Sequence, residues 1–244
     1  MSVDKSGPGL CLIAAKITEP HLLSARQLSK WYEECHIPRL MATGGFSSML
    51  RGAAADLDNG AYPFVSIYAM PDISFANSQA FKLNIGPDHP VDHELYPLPD
   101  GAKISDVVEI DFRIYRRITD CHAGGRVSNE IKAFALVEGD ARDSSRSEAV
   151  SKVEFEQGFV PFIKTIPSAV HWERYVLEME WWSAGGCLYN RDALDFYGFA
   201  EEEPDYAGNF EKLMAHPGAP RLEDFNFEIK TYRTMYTQQA DHVK

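Results

Sequence analysis

The stretch Trp31–Arg51, WYEECHIPRLMATGGFSSMLR, joins a helix, a break, a glycine stop and a strand with no loop between them. Just upstream, Ser24-Ala25-Arg26-Gln27 has the spacing of a capping box, in which the Ser24 hydroxyl and the Gln27 amide each satisfy a backbone N–H that the helix leaves open. A helix therefore starts near Ala25. Leu28, Trp31, Tyr32 and Cys35 recur at steps of three and four and make one apolar stripe, with Lys30 and Glu33 off it and Glu33-Glu34 read as a solvated face. Pro38 has no N–H to donate and disfavours helical geometry at Ile37, so the helix should kink or pause beside His36. Gly44-Gly45 should end it, because glycine takes the left-handed conformation at a helix C-terminus without penalty. A strand from about Phe46 follows.

Outward from this stretch the elements fall into an order. Leu10–Ile17, LCLIAAKI, is a short apolar run bounded by Gly9 and Pro20 and reads as a buried strand. After the helix and the strand from Phe46, the turn-forming DLDNGA at 56–61 returns the chain into Pro63–Met70, PFVSIYAM, a third strand. A helical segment follows Pro71-Asp72, with Phe75 and Phe81 placed to cover a sheet, and the proline-rich 85–103 reads as a long loop. In Val107–Ile118, Val108, Ile110, Phe112 and Ile114 alternate with Glu109, Asp111, Arg113 and Tyr115, so one strand face is apolar and the other polar. The order is β-α-β-β-α-β, a ferredoxin-like unit. It then repeats. Ile131–Glu138 matches the first strand, and Glu154–Ile166 matches the broken helix, with Pro161 and Arg174 each 123 residues after Pro38 and Arg51. Tyr197 falls on Tyr68, and Tyr232-Arg233 on Tyr115-Arg116. The division expected is a first repeat over 1–118, a linker over 119–130 and a second repeat over 131–244, so that the two sheets cover one another and the chain is its own pseudo-dimer.

The pattern WYxExHIPxLxxxGGF at 31–46 resembles the EthD-like branch of the dimeric α+β barrel superfamily, including its fungal members of undefined role. The resemblance implies ferredoxin-like βαββαβ units whose sheets pair into a barrel around a ligand-sized lumen; together with the repeat, the fold expected is α+β, with duplicated ferredoxin-like βαββαβ units whose antiparallel sheets pack as an intramolecular dimeric α+β barrel. It also implies that His36, near the barrel mouth, contacts substrate or moves a proton, and a homodimer is among the assemblies it allows.

Composition excludes several classes. A net charge of −12 leaves no basic footprint for nucleic acid and disfavours anionic membranes. No apolar run approaches the roughly 20 residues of a membrane span, and the first ten residues lack a signal-peptide core, so a soluble cytoplasmic protein is expected. Cys11, Cys35, Cys121 and Cys187 lie far apart without ligand spacing, and His89 and His93 flank Pro90 in a loop, so no metal site is expected. No dinucleotide or phosphate-loop motif occurs, and no cofactor is expected.

Chemistry is then assigned to a few side chains. His36, with Trp31 beside it, sits at a helix break and has the unperturbed pKa for proton transfer near neutrality; alternatively it bonds a backbone group freed by the kink. If the polar face of the fourth strand lines the lumen, Asp111 and Arg113 could fix a carboxylate or enolate oxygen and Tyr115 donate a proton, with Ser66 and Tyr68 sharing that space; the alternative is a salt-bridge layer or a solvated face. In the second repeat His171, Glu173, Arg174, Lys230 and Tyr232 are the weaker equivalents, and Phe159 stands where the first repeat has His36. Trp172, Trp181 and Trp182, with Tyr175, form either an aromatic wall for a flat ligand or core anchors. The function expected is a cofactor-independent tailoring enzyme acting on an aromatic or polyketide-like small molecule, by cyclisation, dehydration, isomerisation or decarboxylation. A cofactor-free monooxygenase and a non-catalytic small-molecule-binding stress-response module are the alternatives.

Overall fold

The computed structural model describes residues 3–54, 62–85, 104–119, 131–141, 153, 156–157, 160–164, 166, 168–182, 193–202, 204–205, 208, 212 and 225–239. The 56–61 turn, most of the 85–103 and 119–130 segments with His89, His93 and Cys121, and also Phe159 and Cys187, lie outside them. So do the side chains of Pro161, Trp181 and Trp182.

Strand β1 spans Gly9–Ile17. The Ser24 capping box is formed as its spacing requires, and helix α1 runs over Ala25–Trp31. The break beside His36 takes the form of a π-helical turn, Tyr32–His36, followed by α2, Ile37–Met41. Ile37 N–H bonds back to the Tyr32 carbonyl, one residue further than in an α-helix, just before Pro38 withdraws its own donor. Gly44 ends the segment at φ +74°. Strand β2, Ser48–Ala54, and β3, Phe64–Met70, follow, then a 3₁₀ turn over Ile73–Asn77, helix α3, Gln79–Ile85, and β4, Val108–Arg117. The second half supplies β5, Ala133–Ala141, a short helix α4, Val160–Ile163, and strands β6, Ala169–Trp182, β7, Ala193–Phe199, and β8, Phe225–Gln239.

The eight strands close into one barrel in the order β1-β3-β2-β8-β5-β7-β6-β4, every pair antiparallel. Read by halves, the order is β4-β1-β3-β2 and β8-β5-β7-β6, the same path twice, joined at the seams β2·β8 and β4·β6. In the first half both sheet faces are buried. Leu10, Leu12, Leu50, Ile67, Tyr115, Phe134, Phe196 and Tyr232 pack inside the barrel. Outside, the first half's helices cover Cys11, Ile13, Met49, Tyr68, Phe112 and Ile114, where Phe81 meets Phe112 edge-on at 5.9 Å and Phe75 at 5.8 Å. A smaller outer cluster in the second half gathers Val160, Ile163, Tyr197 and Phe199. Among the described residues no helix is long and apolar enough to cross a membrane.

Candidate active site

Register decides which face of each strand looks inward. Leu10, Leu12 and Ala14 of β1 stand opposite Tyr115, Arg113 and Asp111, so the polar face of β4 turns into the lumen. All three polar residues are buried. Arg113 donates to the Asp111 carboxylate and, through Nη1, to Tyr115 Oη at 3.2 Å. Burial works against the guanidinium charge, but Tyr115 and Asp111 together hold the Arg113 pKa above its ordinary value. The trio thus compensates its own charge.

The next strand across the seam continues the polar strip. Leu194 and Phe196, both inside, stand opposite Tyr175 and Glu173, and Arg117 stands beside Tyr175. Glu173 is the hub: Arg117 Nη1 donates to its Oε1 at 2.8 Å, the Tyr175 hydroxyl donates to its Oε2, and His171 Nε2 lies 3.3 Å from Oε2. Burial favours the neutral acid, yet His171, Tyr175 and Arg117 outweigh it and hold the carboxyl well below the usual range. These residues face a cavity of about 220 Å³ at the end of the barrel where β1 starts and β3 and β4 finish. Leu10, Ile67 and Phe196 form its apolar walls, while Arg117, His171, Glu173 and Tyr175 form its polar one. A buried imidazole against an ionised carboxylate in a cavity wall can take and return a proton. Among the described residues no three His, Cys, Asp or Glu side chains converge as a metal site would require.

Comparison with known proteins adds the fold. No family model and no curated protein matches the sequence. Among solved structures, a candidate monooxygenase from Lactobacillus acidophilus NCFM superposes with a TM-score of 0.51 at 12% identity, over 96% of this chain and 97% of that one. A candidate chlorite dismutase gives 0.52 at 10% identity, over 94% and 95%. A mutant chlorite dismutase from Candidatus Nitrospira defluvii, solved with cyanide, gives 0.52 at 10%, over 95% and 92%. The fold is that of the dimeric α+β barrel.

Within this dimeric α+β barrel the sheet separates residues that the sequence grouped together. Ser66 and Tyr68 do not share the lumen with Asp111, Arg113 and Tyr115: they pair with Ile13 and Cys11 and face the helix layer, while Val65, Ile67 and Ala69 face inward. Their polar atoms gave no direction because both faces of β3 are buried. His36 also lies on the helix side, 8% exposed, its ring stacked on Trp31 at 4.5 Å and edge-on to Tyr32 at 5.2 Å. It and the Asp111–Arg113–Tyr115 trio are on opposite sides of the sheet and cannot act on one bound molecule. Trp172 faces outward toward Tyr197, away from the lumen that Tyr175 lines, so these two do not form one wall. Tyr232 is inside, stacked on Phe134 at 5.2 Å, with Phe134 in turn on Phe196 at 5.7 Å. Glu33 is not simply solvated, since it contacts the buried Arg51 at 3.4 Å. Arg117 was missed in the sequence, though it continues the two-residue step from Asp111, Arg113 and Tyr115; the same step links His171, Glu173 and Tyr175.

Proposed function

We infer that the barrel is a cofactor-independent tailoring enzyme that moves a proton on an enolisable, aromatic or polyketide-like small molecule, in a lyase or isomerase type of reaction. The observation that carries this is the buried His171–Glu173 pair in the wall of the lumen cavity, with the imidazole 3.3 Å from the carboxylate. An ionised carboxylate held against an imidazole beside an apolar chamber is what acid–base catalysis needs, and it supports the enzyme over a binding module. His171 takes a proton from carbon next to a substrate carbonyl, and the C–H electron pair moves to the carbonyl oxygen. Glu173 stabilises the imidazolium that forms, and Arg117 offsets the charge on that oxygen. His171 then returns the proton at a second position, or to a departing hydroxyl as water leaves. Phe196, Leu10 and Ile67 receive the apolar body. Ligand pockets for drug-sized molecules span about 300–1,000 Å³, so a 220 Å³ chamber suits a single ring or the reactive end of a longer molecule.

The test is turnover of small enolisable aromatic ketones and polyketide-like lactones, followed by solvent deuterium exchange at the acidic carbon. Wild type should exchange, and His171→Ala should be slower by ~10²–10⁴, the usual contribution of a positioned general base. Equal exchange in wild type and in a folded His171→Ala variant removes the assignment.

A further inference from the structure

The correspondence that sets Tyr197 on Tyr68 also sets Phe196 on Ile67, one residue before each. Both side chains line the lumen cavity, one from each repeat, and both are buried. Pro8, Ser47 and Pro71 line it too but are exposed, so they form its rim. Depth follows from register. His171 stands opposite Gly198 and Glu173 opposite Phe196, so along β7 the phenylalanine lies one inward-facing position deeper than the level of the imidazole. A molecule that crosses the rim therefore passes His171 before it meets the Phe196 ring, which stands edge-on to the imidazole at 5.4 Å.

Phe196 is braced from behind. Its ring stacks on Phe134 at 5.7 Å, and Phe134 stacks on Tyr232 at 5.2 Å. Phe134 is fully buried, and a Cβ on Gly52 would fall 2.5 Å from its ring, so this column is filled to contact and Phe196 cannot retreat into it. The first repeat contributes only the smaller, aliphatic Ile67 at the matching place. The inner end of the chamber is thus set by one fixed aromatic ring and one branched side chain.

We propose that Phe196 determines the size of the substrate: facing Ile67, its ring closes the inner end of the chamber and admits a ketone carried on one ring but not on two fused rings. The carbonyl sits between His171 and Arg117, a placement that rests on the proton-transfer reading of this cavity, and the ring points inward against Leu10, Ile67 and Phe196. A second fused ring would have to take the volume that Phe196 fills.

The experiment pairs acetophenone with 2-acetonaphthone, which carry the same acetyl group on one ring and on two. Binding to the full chain is read by ligand-observed NMR, and turnover by solvent deuterium exchange at the methyl carbon. Wild type should bind acetophenone and exchange it with a kcat/KM about tenfold or more above that of 2-acetonaphthone, since a filled pocket rejects an oversized group more strongly than it senses one methylene. Phe196→Ile, which places there the residue type of the first repeat, should admit the larger ketone and erase that preference; a merely structural role would slow both ketones alike. Ile67→Phe adds a ring to the cavity and should weaken acetophenone binding about tenfold or more, which tests the limit even where Phe196→Ile does not fold. The proposal is overturned if wild type binds both ketones equally or neither, if folded Phe196→Ile keeps the wild-type preference, or if Ile67→Phe binds acetophenone as wild type does. Size-selective binding without exchange would uphold the limit set by Phe196 and remove the role of His171 as a base instead.

Discussion

Glu173 shows how much a single carboxylate depends on its neighbours. It is 5% exposed, and a buried carboxyl left to itself would protonate; His171, Tyr175 and Arg117 keep it ionised. A pH dependence of stability follows with a definite sign. A free glutamate titrates near about 4.3, and the folded carboxyl titrates lower, so its contribution is complete above about 4.3 and is lost as pH falls through the folded value. Glu173→Gln lacks this contribution. The melting-temperature gap between wild type and Glu173→Gln should therefore close progressively as pH falls below about 4; a gap that widens below about pH 4 would contradict the arrangement. At this scale the sequence was partly legible. The step of two placed His171, Glu173 and Tyr175 on one face, but nothing in it reported that Arg117, on a strand 56 residues earlier than Glu173, reaches the same carboxylate. The Arg51–Glu33 contact was hidden for a similar reason, because a glutamate off the apolar stripe reads as solvated unless the strand beneath the helix is known.

The segment from Ser24 to Gly44 was the most legible element, since each of its punctuation marks acts through local backbone chemistry. The capping box, the break at His36–Pro38 and the glycine stop all depend on which N–H and C=O groups find partners within a few residues. The strands were legible in extent and less so in direction. β4 alternates apolar with charged, so its inner face could be assigned, whereas β3, FVSIYAM, is enclosed by the lumen on one side and the helices on the other. Period two shows that residues share a face but not which face when both are buried. Gly44 permits a clean test of the stop signal. At φ +74° nothing lies within 4 Å of an added Cβ, so Gly44→Ala is a backbone perturbation alone. It should destabilise by about 1 kcal/mol, measurable by urea denaturation. A neutral substitution would mean that the turn re-forms without the left-handed residue.

Repetition carried the whole molecule, because one strand order serves both halves and the seams β2·β8 and β4·β6 make each half the other's missing edge. Gly52 marks how closely the halves meet: a Cβ there would fall 2.5 Å from the Phe134 ring of the other half and 2.9 Å from Tyr232 Cβ. The two halves are not independent in energy. Separated, the first would expose Leu10, Leu12, Leu50, Ile67 and Tyr115 along with the unpaired edges of β2 and β4. With the proposed boundary at 118, a fragment of residues 1–118 has one low-energy course open to it, which is to pair β2 of one copy with β4 of another and close a homodimeric barrel in place of the internal one. The intact chain should accordingly melt in a single transition. The fragment, expressed alone, should sediment as a dimer or fail to stay in solution, with thermal stability that rises with its concentration, as mass action requires of a folded state built from two chains. A folded, monomeric 1–118 with concentration-independent melting would show that the barrel is two self-sufficient domains in contact, and the argument from shared seams would fall with it.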